Sequence, residues 1–162
     1  MKPPVSTSDM HADDRYFEDW TIGEVLEAGS FTLDEAKIVE FARDYDPQPF
    51  HVDPEAAAAS KFGRLIASGW QTAAITMRLI VDSGIFGRHG GIGMGVDELR
   101  WLKPVFPGDT LRVTSEAVSA RARPGGKNGI VHFKLSTFNQ HGEAVMTHTA
   151  IVLVPCRPGE AA

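Results

Sequence analysis

The sequence predicts an α+β domain in which an antiparallel sheet packs against one long helix. Residues 32–84 contain apolar residues at helical spacing, interrupted by capping signals. After residue 95 the pattern changes to alternating or short apolar runs rich in Val, Thr, Phe and Ile, separated by turns that contain Pro and Gly. The expected order is therefore one strand, three helices and four long strands.

Composition excludes several classes of protein. The 162 residues carry a formal net charge of −5 without a basic block, which argues against a nucleic-acid partner. The only cysteine, Cys156, excludes an intrachain disulfide, and no apolar run reaches the length of a membrane span or a signal peptide. We therefore expect a cytoplasmic protein with a loose tail over 1–16, one domain over 17–155 and a C-terminal tail over 156–162.

The first half of the chain supplies the helices. A strand is expected near 24–31, followed by a helix that begins with a capping box of Thr32 and Glu35 and runs to about Asp44. Asp53 followed by Pro54 is typical of the start of a second, short helix, which we expect to stop before residue 63.

The longest helix is predicted to begin after Ser68, which has the capping-box spacing to Gln71, and to end at Gly84. Its apolar residues recur at helical spacing, so they are expected to form its buried face. These residues are Trp70, Ala73, Ala74, Met77, Ile80 and Val81.

The second half of the chain supplies the sheet. The glycine-rich segment 84–95 is interpreted as a long turn. Strands are predicted over 96–102, 110–122, 129–138 and 144–154.

The segment 45–54, with three prolines, is predicted to be a rigid loop that holds the side chains of Asp46 and His51 near each other. A carboxylate beside an imidazole is suited to acid–base chemistry. The alternative makes Asp46 a turn residue at a helix end and His51 an ordinary surface residue.

The residues from Phe41 to Gly69, FARDYDPQPFHVDPEAAAASKFGRLIASG, resemble the signature of the MaoC-like dehydratases, whose members include the (R)-specific enoyl-CoA hydratases. A second stretch over 98–109, ELRWLKPVFPGD, resembles the strand and turn of the same family. The resemblance extends over about 17–154. It implies the hot-dog fold, a long antiparallel sheet wrapped around one central helix, which agrees with the predicted order of elements.

The resemblance also implies site residues. Asp46 and His51 match the catalytic pair, and Gly69 matches the glycine whose amide binds the thioester oxygen. The substrate-binding positions that it suggests are Ser68, Gln48 and Phe50.

The implied function is the reversible hydration of a 2-enoyl thioester of CoA or acyl-carrier protein to the (R)-3-hydroxyacyl thioester. This reaction needs a base for water, an acid for C2 and a donor for the enolate oxygen, and a helix N-terminal amide has no intrahelical partner. No metal or cofactor is expected. Because hot-dog domains typically pair edge to edge, the resemblance further implies a homodimer or larger homo-oligomer. No membrane partner is expected, because no apolar run reaches the length of a membrane span.

Three alternatives remain beside this interpretation. A hot-dog thioesterase or a non-catalytic acyl-CoA-binding module shares the fold, although a binding module is expected to lose the pair of Asp46 and His51. His51-Val52-Asp53 also has the H-x-D spacing of an iron site, but Asp53 is better explained as a helix cap. His132 and His148 fall in predicted strands and are interpreted as structural. Basic residues available for carrier phosphates are Arg100, Lys103, Arg121, Arg123 and Lys127.

Overall fold

The computed structural model describes residues 15–159, so most of the predicted tails lie outside the described residues and the domain boundaries stay predictions. In chain order the elements are β1 (Val25–Thr32), α1 (Glu35–Tyr45), α2 (Pro49–Val52), α3 (Pro54–Ala59), α4 (Gly69–Asp82), β2 (Ile92–Trp101), β3 (Thr110–Ala122), β4 (Asn128–Phe138) and β5 (Ala144–Pro155). Among these residues no helix combines the length and the apolar character needed to cross a membrane.

The five strands form one antiparallel sheet in the order β1-β3-β4-β5-β2. Helix α4 packs against β1 and β3. Alternate residues of β3, β4 and β5 are buried, as expected for a sheet with one face on a core. The architecture confirms the α+β prediction of a long antiparallel sheet packed on a central helix.

Two of the three predicted helix caps are confirmed. The Asp53 carboxylate accepts hydrogen bonds from the first amides of α3, and the Ser68 hydroxyl accepts one from the amide of Trp70 at the start of α4. The prediction for Thr32 is wrong, because Asp34 caps α1 by accepting from the Lys37 amide. Thr32 instead ends β1, where its hydroxyl lies 2.8 Å from that of Thr110. Thr32 is therefore part of a paired strand, although the local sequence predicts that it caps α1.

The segment 45–54 is more ordered than the predicted loop, because it contains the single helical turn α2. Gln48 is extended, with φ −71° and ψ 144°, as expected for a residue before proline. Pro49 then occupies the first helical position, which suits its fixed φ. The turn places His51, two residues later, in a buried position beside the segment that precedes α4, rather than on the surface.

Strand β2 begins at Ile92, so part of the glycine-rich segment is strand rather than turn. Gly93 pairs with Val152 and Gly95 with Ile151 of β5, with a register shift between the two glycines. Pairing with β5 supplies the backbone hydrogen bonds that offset the poor strand propensity of glycine.

The predicted buried face of α4 is largely wrong. Ile80 is buried, but Trp70, Met77 and Val81 are 58%, 51% and 61% exposed. The face that packs on the sheet instead consists of Gln71, Thr72, Ile75, Thr76, Leu79 and Ile80.

The polar residues on this inner face are stabilised by hydrogen bonds. The Thr76 hydroxyl donates to the Thr72 carbonyl at 2.9 Å and lies 2.7 Å from the hydroxyl of Thr137 on β4. Because the Thr137 partner lies on a distant strand, an apolar count along the helix does not identify this face.

His148 lies in β5 with its side chain buried, as the structural interpretation requires. Within residues 15–159 its Nδ1 atom has no hydrogen-bond partner. Burial lowers the pKa of His148 from its ordinary value of 6.5, because the imidazolium form loses hydration.

This shift predicts a contribution to acid sensitivity. The unfolded chain, with the higher His148 pKa, takes up a proton first, so the free energy of unfolding falls as the pH drops below 6.5 toward the lower folded-state value. Urea unfolding between about pH 5 and pH 8 is expected to show less of this loss in His148→Leu than in the wild type. The exposed His141→Gln serves as the control, and an identical pH dependence in all three proteins would contradict the prediction.

Candidate active site

A cavity of about 430 Å³ lies where the end of α1, the turn α2 and the start of α4 meet the segment that follows β2. Its lining includes Asp46, His51 and Gly69, the three residues for which the sequence predicted a shared chemistry. Residue 46 ends α1, residue 51 lies in α2 and residue 69 is the first residue of α4. Three short elements therefore bring these residues to one cavity.

Asp46 is held by two hydrogen bonds. The Ser68 hydroxyl donates to its Oδ2 at 2.7 Å and the Gln48 side-chain amide donates to its Oδ1 at 2.8 Å. Partial burial acts to raise the pKa of Asp46, but the bonds from Ser68 and Gln48, together with the positive charge that His51 carries when its ring is protonated, outweigh it. The pKa of Asp46 is therefore below its ordinary value, and the carboxylate is ionised at neutral pH.

His51 is almost fully buried, with 4% of its surface exposed. Its Nδ1 lies 2.8 Å from the carbonyl oxygen of Ile66. Since a carbonyl only accepts, Nδ1 carries a proton and donates it to this bond. The second ring nitrogen, Nε2, lies 3.3 Å from Asp46 Oδ2. In the neutral imidazole, Nε2 is therefore an acceptor that shares one side of the cavity with the carboxylate.

Two backbone hydrogen bonds fix Ile66 in the segment before α4. Its amide donates to the Phe50 carbonyl at 3.2 Å, and the next amide, of Ala67, donates to Val105 at 2.8 Å. Because Phe50 is the neighbour of His51, the same segment that orients the imidazole also holds the turn that carries it.

Gly69 occupies the first position of α4, after the cap Ser68. Among the hydrogen bonds of residues 15–159, the Gly69 amide is not a donor, as expected for the first amide of a helix. A methyl group on its Cα would lie 2.5 Å from the Trp101 ring, so glycine is needed here for close packing rather than for a positive φ.

Of the three predicted substrate-binding residues, Gln48 and Phe50 line the cavity, whereas Ser68 is fully buried behind it and bonds Asp46. Gln48 is exposed and binds Asp46, and Phe50 is half-buried, with its ring against that of Phe62. Sequence reasoning missed Trp101 and the Ile66 carbonyl. A tryptophan at a strand end carries no general signal, and a backbone carbonyl leaves no trace in the sequence.

Comparison with known proteins decides the family. The MaoC-like domain family matches residues 18–138, more than half of the chain. The chain belongs to the MaoC-like dehydratase family. A MaoC-like dehydratase from Rhodospirillum rubrum is 43% identical, with a TM-score of 0.84, over 89% of this chain and 99% of that chain. The (R)-hydratase from A. caviae involved in PHA biosynthesis is 27% identical, with a TM-score of 0.71, over 85% of this chain and 99% of that chain.

A relative of this MaoC-like chain, the uncharacterized protein YdeM of Bacillus subtilis strain 168, is 34% identical over 137 residues, which are 85% of this chain and 96% of that protein. The likeness to the solved structures confirms the hot-dog fold that the resemblance implied. Membership of the family supports a hydratase or dehydratase that acts on thioesters in general.

Proposed function

We propose that this protein catalyses the reversible hydration of a 2-enoyl thioester to the (R)-3-hydroxyacyl thioester. One observation carries the proposal: an ionised carboxylate, a buried imidazole and a helix N-terminal amide that has no acceptor within residues 15–159 line the same cavity. Membership of the MaoC-like family and the likeness to an (R)-hydratase support the same reaction and the same stereochemistry.

The pair of Asp46 and His51 is suited to hold the attacking water. Asp46 Oδ2 and the unprotonated Nε2 of neutral His51 are both acceptors, 3.3 Å apart, so they repel unless a donor lies beside them. A water molecule that donates one hydrogen to each satisfies both. Its oxygen lone pairs then face the cavity, where the substrate C3 is expected to bind.

The proposed step conserves atoms and charge. The water oxygen forms a bond to C3 while one of its protons passes to the Asp46–His51 pair, and the C2–C3 double-bond electrons move to the thioester oxygen as an enolate. The Gly69 amide donates to that oxygen at the positive end of α4. The proton then passes from the pair to C2, which restores the thioester carbonyl and the resting state of the enzyme.

We propose that the enzyme is a homodimer with its active sites near the interface, and that it acts on an acyl group carried by CoA or acyl-carrier protein. Edge strand β2 exposes large apolar side chains, unlike an edge protected against pairing. The exposed large apolar residues on α4 and around β2 are Trp70, Met77, Val81, Ile92, Met94, Val96, Trp101 and Leu102. Trp70, Trp101 and Leu102 also line the catalytic cavity, so we expect a second copy paired at β2 to cover the edge of that cavity.

The reaction is tested with crotonyl-CoA and purified protein. We expect loss of the conjugated enoyl absorbance without release of free thiol, and chiral analysis giving the (R)-3-hydroxy product. Thiol release would indicate a thioesterase, and binding without either change would indicate an acyl-CoA-binding module. Either result, or the (S) product, would overturn the proposal.

Replacement of the acid–base pair is expected to abolish most turnover. Asp46→Asn and His51→Gln should each lower kcat by about 10²–10⁴ because proton transfer is lost, with little effect on circular dichroism. Asp44→Asn is the matched control, since Asp44 lies on the same helix end and is exposed. If the kcat of either site variant equals that of the control, the substituted residue has a structural role rather than a catalytic one.

The oxyanion donor is tested by two substitutions at Gly69. Proline removes the amide hydrogen and suits the first helical position, and Ser68, with ψ 139°, is compatible with a following proline. Both Gly69→Pro and Gly69→Ala add a Cβ that displaces Trp101, so alanine is the matched control. The kcat of the proline variant should be about 10²–10³ lower than that of the alanine variant. Equal values in two folded variants would reject the role of the amide.

The dimer is tested by light scattering at micromolar concentration. The wild type should have about twice the monomer mass, and Val96→Glu in β2 should shift it toward the monomer. Val25→Glu is the matched control, because Val25 is similarly exposed, 52% against 55%, on the opposite edge strand β1. A monomeric wild type, or dissociation only in the control, would disprove pairing at β2.

A further inference from the structure

The indole of Trp101 makes two contacts with Gly69. Its Nε1–H donates to the Gly69 carbonyl at 2.8 Å. Its ring also lies so close to the Gly69 Cα that a Cβ there would be 2.5 Å from Cε2 and 2.6 Å from Nε1. The ring further meets that of Trp70 edge to face, with centroids 5.1 Å apart. The first turn of α4 is therefore braced by a side chain from the end of β2.

The contacts with Trp101 limit the backbone flexibility that a glycine brings to an oxyanion site. Glycine has the freest backbone of all residues, and the first residue of a helix lacks an intrahelical bond through its amide. Rotation about its φ changes the direction of the amide relative to the rest of the helix. An amide that must meet a developing oxyanion at hydrogen-bond distance needs that direction fixed in advance.

The Gly69 amide is held from both sides. On its N-terminal side, the Ser68 carbonyl, which belongs to the same peptide group as the Gly69 amide, accepts from the amides of Gln71 at 3.0 Å and Thr72 at 3.2 Å. On its C-terminal side, the peptide group that carries the Gly69 carbonyl is anchored by the Trp101 indole. The two anchors lie on the two peptide groups that flank Gly69 Cα, so together they restrict the torsion between them.

We propose that Trp101 is a positioning residue, which fixes the orientation of the Gly69 amide through the Gly69 carbonyl and the close packing of its ring. This inference rests on the proposed hydration reaction, in which Gly69 is the oxyanion donor. It explains why residue 69 is glycine, since any side chain there would collide with the indole. It also makes the end of β2 part of the functional site.

A positioning role predicts a specific kinetic signature. The enolate charge exists only in the transition state and intermediate, so a misdirected amide should lower kcat and kcat/KM together, with KM nearly unchanged. A merely structural role would lower thermal stability and leave the kcat of the folded molecules unchanged.

The test uses Trp101→Phe, which keeps an aromatic ring and removes the indole N–H. With the full-length enzyme and crotonyl-CoA, kcat should fall roughly tenfold to hundredfold, the scale of a small misplacement in an active site. Val25→Leu, an exposed change on the opposite edge strand β1 and away from the cavity, is the control and should retain wild-type kcat. A wild-type kcat in folded Trp101→Phe would overturn the proposal.

A second readout does not depend on turnover. Backbone ¹⁵N relaxation of wild type, Trp101→Phe and Val25→Leu should give a lower order parameter at Gly69 in Trp101→Phe only. An unchanged Gly69 order parameter would also overturn the proposal, even if the enzyme is active. If the wild type hydrates no enoyl thioester, the proposed function fails, whereas the relaxation data still decide whether Trp101 orders the amide.

Discussion

The Ser68 hydroxyl is the interaction on which the rest of the site depends. It donates its single hydrogen to Asp46 Oδ2 at 2.7 Å and accepts from the Trp70 amide at 3.2 Å. The same atom therefore caps the central helix and helps keep the carboxylate ionised. Because Ser68 itself is fully buried, no water competes for the hydroxyl.

This shared hydroxyl explains why the proposed acid–base pair and the proposed oxyanion donor lie at one place. Asp46 belongs to the end of α1, which is far from α4 in sequence, yet the bond from Ser68 fixes the carboxylate beside the residue that precedes Gly69. His51 is placed independently, through the Ile66 carbonyl. The distance between the two catalytic candidates thus follows from two anchors on the single segment 66–68.

Local chemistry was enough to predict the parts of the fold that depend on neighbouring residues. The caps at Asp53 and Ser68, the bounds of β3 and the closeness of Asp46 to His51 follow from proline, hydroxyl and β-branched residues within a few positions. The inner face of α4 and the start of β2 could not be predicted from neighbouring residues, because each depends on contacts with residues that are distant in sequence. Thr76 is buried beside Thr137, and Gly93 pairs with Val152.

The exposed apolar face of α4 has a related cause. Helix α4 carries apolar residues on both sides, and the one sheet within residues 15–159 covers only one of them. A count of apolar residues therefore predicts the helix without identifying which side packs on the sheet. Pairing with a second copy at β2, as proposed, gives the outer side a partner.

The proposed mechanism requires an Asp46 carboxylate that the Ser68 hydroxyl keeps ionised beside a Nδ1-protonated imidazole. The most direct measurement is the ¹³C NMR titration of the Asp46 carboxyl carbon in the wild type and in Ser68→Ala. We expect a wild-type Asp46 pKa below the ordinary aspartate value of 3.8 and a higher Asp46 pKa in the variant, because a donor to the charged form is lost. An ordinary or raised pKa in the wild type, or the same pKa in both proteins, would contradict the proposed mechanism.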